Sequence, residues 1–194
     1  MTLTIGVLIS SHTPRWQNGA VLRALNSVAD QMRPPDQVAV VNDVKGMGAA
    51  WCKDQALSML STDLVAVLDS DDFWYNNHLI ALEEAFLTTD CDIAYSNWDG
   101  NNPFPEEWKT LPWDNDNPRH TSTTIMARRE LMIEAGSYVA DSNPYSGHAN
   151  DDWLLMLAML ELGAKVHHVQ ETTWFYSTDK DNTSGLASRW TPSV

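Results

Sequence analysis

A chain of 194 residues with 26 acidic against 12 basic side chains carries a net charge of −14, which opposes docking on nucleic acid or anionic lipid. Apolar residues make up 43% and mean hydropathy is −0.32, ordinary for one soluble domain with a full core. No apolar run approaches the roughly 20 residues of a membrane span, and Cys52 and Cys91 follow neither metal-ligand nor disulfide spacing, so a cytoplasmic setting is expected.

The N-terminus, MTLTIGVLISSHTPR, has no basic n-region, and no signal peptide is expected. Thr4 to Ser10 (TIGVLIS) reads as a buried strand with a polar end, Ser10-Ser11-His12. From Gly19 to Met32, apolar residues recur three and four apart, which predicts an amphipathic helix closed by Arg33-Pro34-Pro35. Gln37 to Val41 is a second strand ending in Asn42-Asp43, and a Gly46/Gly48 loop leads into a helix from Ala49 to Leu60. Asp63 to Trp74, DLVAVLDSDDFW, holds the third strand, Leu64 to Leu68, which stops abruptly in Asp69-Ser70-Asp71-Asp72. Asn76-Asn77 precede a helix to about Leu87, and Cys91 to Ser96 is a fourth strand.

Four strand–helix alternations predict a parallel sheet with right-handed crossovers. The polar ends of its first three strands would then line one crevice, where open α/β sheets bind ligands. No base adjoins Asp69, Asp71 and Asp72 in the sequence, so unassisted they would raise one another's pKa. Mg²⁺ or Mn²⁺ held together with a phosphate resolves that conflict, since hard oxygens suit both ions. Asp72 is expected to cap the turn into Phe73-Trp74.

Beyond residue 98 the alternation breaks. Asp99 to His120 and Ser137 to Asn150 read as long polar loops. Between them, Thr123 to Ala127 is a strand and Arg128 to Ala135 a short helix. Asp151-Asp152 opens an apolar helix, Trp153 to Leu162; capping explains one acid and leaves one spare. Ala164 to Val169 and Thr172 to Tyr176 are two late strands, followed by a polar tail.

From Thr4 to Gly185 the motifs, in this order, resemble the GT-A fold glycosyltransferases of family two, inverting nucleotide-sugar enzymes. IGVLISSHTP matches the family's first strand, and Val41-Asn42-Asp43-Val44 part of its Asp-Asp-Gly-Ser signature. Gly48 to Leu57 resembles Gly…Ala-Arg-Asn-x-Ala-Leu with Lys53 at the arginine, and LDSDD is its metal signature. Ala127 to Tyr138 resembles the segment before the acceptor site, and Asn150-Asp151-Asp152-Trp153 the base motif. Tyr176 to Ser184 is similar to Tyr-Arg-x-His-x-x-Asn-x-Ser, with Ser177 and Asp179 in place of the arginine and histidine.

The resemblance implies a single α/β domain, a mostly parallel Rossmann-like sheet flanked by helices. Residues 1–98 would hold a nucleoside-diphosphate sugar, a UDP-sugar foremost, and residues 99–194 a soluble protein or glycan acceptor. Ser10, His12, Asp43, Lys53 and Asp69 are the expected nucleotide contacts, and Asp71, Asp69 and Asp179 the ligands of Mn²⁺ or Mg²⁺. Asp152 is the expected base, with Asp151 second. Two rivals stand beside this reading. One is a sugar nucleotidyltransferase, for which ISSHTPRWQNG, with one arginine, is a faint basic loop. The other is an inactive nucleotide-sugar or carbohydrate-binding module.

Overall fold

Ile5–His12 (β1) is buried until its last residue, because IGVLIS presents apolar side chains to both faces of a sheet. The computed structural model describes residues 2–116, 124–138 and 151–177, without the side chain of Asp151. Thr13–Gln17 (α1), with Pro14 in its first turn, follows at once, a helix that the polar run SHTPRWQN did not signal. Ala20–Ala29 (α2), Gln37–Asp43 (β2), Ala49–Met59 (α3) and Leu64–Asp69 (β3) follow. Phe73–Trp74 (β4), His78–Thr88 (α4) and Ile93–Gly100 (β5) come next. After one 3₁₀ turn at Glu106–Trp108 come Ile125–Arg128 (β6), Arg129–Glu134 (α5), Asp151–Glu161 (α6) and Val166–Tyr176 (β7).

The sheet has seven strands in the order β2-β1-β3-β6-β5-β7-β4. The β1–β2, β1–β3 and β5–β7 pairings are parallel. The expected parallel run stops at β3, because β6 inserts between β3 and β5, antiparallel to both. This is an α/β sheet of mixed direction flanked by helices, with α3 against β1 and β2 and α4 against β5 and β7. The two late strands are one: Ser96 faces Val169 but Asn97 faces Thr172, so Gln170 and Glu171 form a bulge within β7.

Leu64 to Leu68 are fully buried, and each leucine and valine among them is worth about 1.5–3 kcal/mol of transfer free energy. On the far side of the acid turn, Phe73 pairs with Phe175 of β7, their rings stacked at 4.9 Å. Asp69 to Asp72 are thus suspended between two points of one sheet.

Candidate active site

Register sets the first wall. Ser10 lies beside Asp69, and His12 beside Asp43, at the carboxyl ends of β1, β3 and β2. Ser10, Ser11, His12, Asp43, Asp69, Ser70 and Asp71 line one cavity of about 540 Å³, together with Arg15, Gly46 and Gly48. Asp43 is tied into the loop that follows it. Its carboxylate accepts hydrogen bonds from the amides of Lys45, Met47 and Gly48 at 3.2, 2.9 and 2.7 Å. Burial opposes its ionisation, but the amides of Gly48, Met47 and Lys45 together outweigh that and hold its pKa below the usual range.

The acid turn is not without bases. Arg15, only 4% exposed, places Nη1 2.6 Å from Asp71 Oδ2. Arg23 Nη2 donates to the Asp71 carbonyl at 2.5 Å. Lys53, 2% exposed, sets Nζ 3.6 Å from Asp69 Oδ1 and against Asp152 Oδ1, with the Tyr138 ring 5.6 Å away. Neutralisation comes from α1, α2 and α3, each remote in sequence, which corrects the expectation of an unassisted acidic cluster. Of these bases, only Lys53 belongs to the residues that the sequence singled out; the lone arginine of ISSHTPRWQNG was the one hint of Arg15.

Asp72 behaves differently. Burial, then the charge of Asp69, pushes its pKa well above the usual range, against the amide of Ser177 and the nearby Arg15 and Arg23. Its carboxylate accepts from Ser177 N at 2.8 Å. It therefore pins the end of β7 rather than capping the turn into β4. Carboxylate oxygens of Asp69, Asp71 and Asp72 all lie within 4.8 Å of one another, a hard-oxygen set that fits a divalent cation. A cation there would offset the Asp69 charge, the lesser of the two causes that raise Asp72 after burial. Asp179 lies outside the described residues, as do His120, His148 and the rest of 139–150.

Asp152 stands in the first turn of α6, which Leu155, Met156 and Met159 bury in the core. Through Lys53 it meets Asp69, so the structure brings together Asp69, Asp71, Lys53 and Asp152 around the end of β3.

The model of glycosyl transferase family 2 matches residues 35–140, more than half of the chain. The chain belongs to glycosyl transferase family 2. The family match runs from just before β2 through α5, and so includes Asp43, Lys53 and the acid turn. Among solved structures, residues 1–349 of S. aureus TarS superpose with a TM-score of 0.74 at 17% identity, covering 90% of this chain and 60% of that one. The same protein with UDP-GlcNAc gives 0.74 at 16%, covering 93% and 60%; with UDP it gives 0.73 at 16%, covering 91% and 61%. Such identities show a common fold, the GT-A fold, and this chain spans about 60% of the length of those TarS chains. No curated protein sequence matches it. Among the described residues, no helix is long and apolar enough to cross a membrane.

Proposed function

We propose that this family 2 chain is a metal-dependent, inverting glycosyltransferase, moving a sugar from a nucleoside-diphosphate sugar to an acceptor hydroxyl. The observation that carries the reading is the meeting of a nucleotide-sized cavity, an acid turn and Asp152 around the end of β3. The UDP and UDP-GlcNAc complexes of TarS, a protein of the same fold, support a UDP-sugar as the first donor to test.

Ser10, His12 and Asp43 would receive the nucleoside, with Asp43 already ionised and its loop ordered by the same carboxylate. Asp71 and Asp69 would hold Mn²⁺ or Mg²⁺, with Asp179 as a third ligand, and the cation would offset charge on the leaving diphosphate. Lys53 and Arg15 bring positive charge to the same end of the cavity. Asp152, the other carboxylate against Lys53, would accept the acceptor's proton as the hydroxyl attacks the anomeric carbon. An attack from one face displaces the diphosphate from the other and inverts the configuration. Asp151 is the second choice.

The division of labour follows: residues 1–98 for the donor and residues 99–194 for a soluble protein or glycan acceptor, in the cytoplasm. Membership of family 2 removes the support for a nucleotidyltransferase. Release of UDP from UDP-GlcNAc and other UDP-sugars, with and without Mn²⁺, tests the proposal. Donor binding without any metal-dependent hydrolysis or transfer would leave the binding-module reading in its place.

A further inference from the structure

We infer that Arg15 is an exchangeable counter-ion: its guanidinium neutralises Asp71 until a divalent cation takes that carboxylate, and then pairs with the donor's diphosphate. The inference rests on the nucleotide-sugar reading and adds to it a residue with two alternating partners.

Arg15 leaves β1 on the short helix α1 and turns its side chain inward, where Nη1 lies 2.6 Å from Asp71 Oδ2, both side chains largely out of water. Arg15 and Asp71 line the same cavity as Asp43 and Asp69. The guanidinium therefore borders both the carboxylate that would hold a cation and the space that would hold a nucleotide. Its planar fork suits two phosphate oxygens as well as it suits a carboxylate.

Charge balance supplies the rest. Asp71 is matched by Arg15, and Asp69 shares Lys53 with Asp152. A dication arriving alone adds positive charge to acids that already have partners. A diphosphate arriving alone meets bases that are already engaged with carboxylates. Uncompensated charge is costly where water is excluded. When both arrive, the cation takes Asp69 and Asp71, Arg15 turns to the diphosphate and Lys53 keeps Asp152, so the net charge of the site is unchanged. Cation and diphosphate must then strengthen one another's binding by the same factor, as linkage requires. Arg15 contributes to that factor.

The test reads binding. Mn²⁺ alone is titrated by loss of the free-ion electron paramagnetic resonance signal, and UDP by calorimetry with and without Mn²⁺. Arg15→Gln should bind Mn²⁺ alone at least about tenfold more tightly, the equivalent of about 1.4 kcal/mol. It should bind UDP more weakly at saturating Mn²⁺, so the mutual enhancement shrinks. Arg15→Lys, which keeps the competing charge, should leave Mn²⁺ alone near wild type while losing UDP affinity with the planar fork. Arg15→Lys also carries the test if Arg15→Gln does not fold. Unchanged Mn²⁺ and UDP affinities in the folded variants would overturn the exchange alone. A wild type whose UDP affinity ignores Mn²⁺ would overturn the cation reading and the exchange with it.

Discussion

The Nζ of Lys53 on α3 lies against a carboxylate oxygen of Asp152, which stands 99 residues further along the chain at the start of α6. The same ammonium is 3.6 Å from Asp69, so one buried charge answers two carboxylates from different elements. Lys53→Met is expected to destabilise by roughly 1–3 kcal/mol. That is below the 3–5 of a fully buried broken pair, because the Asp152 and Asp69 side chains remain 24% and 27% exposed. It should also weaken UDP and spare acceptor affinity, and Lys53→Arg should restore part of both losses. Urea unfolding and UDP titration check this; unchanged stability in Lys53→Met would mean that water already screens both acids.

An acceptor hydroxyl has a pKa far above neutral, so its proton must leave as the new bond forms, and a positioned carboxylate contributes roughly 10²–10⁴. Asp152→Asn should lower transfer at least about a hundredfold and leave Mn²⁺-dependent donor binding intact. Asp151→Asn should cost less. The reverse order would make Asp151 the base. If both variants lower the melting temperature and neither lowers turnover, the pair only caps α6.

Asp71→Asn keeps the shape of the acid turn and removes the charge that Arg15 faces. UDP affinity in this variant should lose its Mn²⁺ dependence. Asp72→Asn should change it less, because Asp72 is committed to Ser177 N. A Mn²⁺ response in Asp71→Asn equal to that of wild type would remove Asp71 from the metal site.

His78 is fully buried, with Nδ1 2.6 Å from Thr173 Oγ1 and its ring stacked on Trp74. Burial lowers its pKa from 6.5 to about 3. The unfolded chain therefore takes up a proton near pH 6.5 that the folded chain refuses. Its stabilising effect is complete above pH 6.5 and is lost progressively as pH falls toward 3, by about 2 kcal/mol at pH 5. Urea unfolding at pH 7 and pH 5 should show that loss in wild type and a flatter profile in His78→Gln. Equal slopes would assign it to other groups.

Gly100 closes β5 with φ of +134°, and a Cβ there would lie 2.1 Å from the backbone oxygen of Tyr176. Neither the dihedral nor the space admits a side chain, and the obstacle is backbone that cannot swing aside. Gly100→Ala should cost at least about 2 kcal/mol and loosen the end of β7 that Asp72 holds. Thermal unfolding measures the first effect; a melting temperature equal to wild type would refute it.

Strands β1, β2, β3 and β5 were legible because each is a short apolar run with a polar end, and the ends of β1, β2 and β3 gave the cavity wall directly. The local motifs were also enough to name the family and the acid turn. Besides α1 and the fusion of the two late strands, three features were not legible because they are non-local. Ile125–Arg128 reads as a strand, but nothing in four residues says that it enters the middle of the sheet antiparallel. Phe73–Trp74 is too short to read as a strand and exists through its pairing with Phe175 and Trp174. Arg15, in a polar run, looks like a solvated base, and its burial depends on Asp71, 56 positions away.

The position of β6 bears on how the molecule can be assembled. β3 has β6 as its second neighbour, and among the described strands β5 pairs with β6 and β7 alone. A nascent chain that has emerged only as far as residue 100 therefore carries β3 as a naked edge and β5 with no strand to pair with. Unpaired, apolar edges of this kind recruit other chains. The donor and acceptor halves proposed from chemistry are thus not folding units, and a fragment cut between them should precipitate rather than bind nucleotide. Ribosomal synthesis must deliver Ile125–Arg128 before the sheet can close, which makes the interval between those two points the span over which a chaperone would matter most.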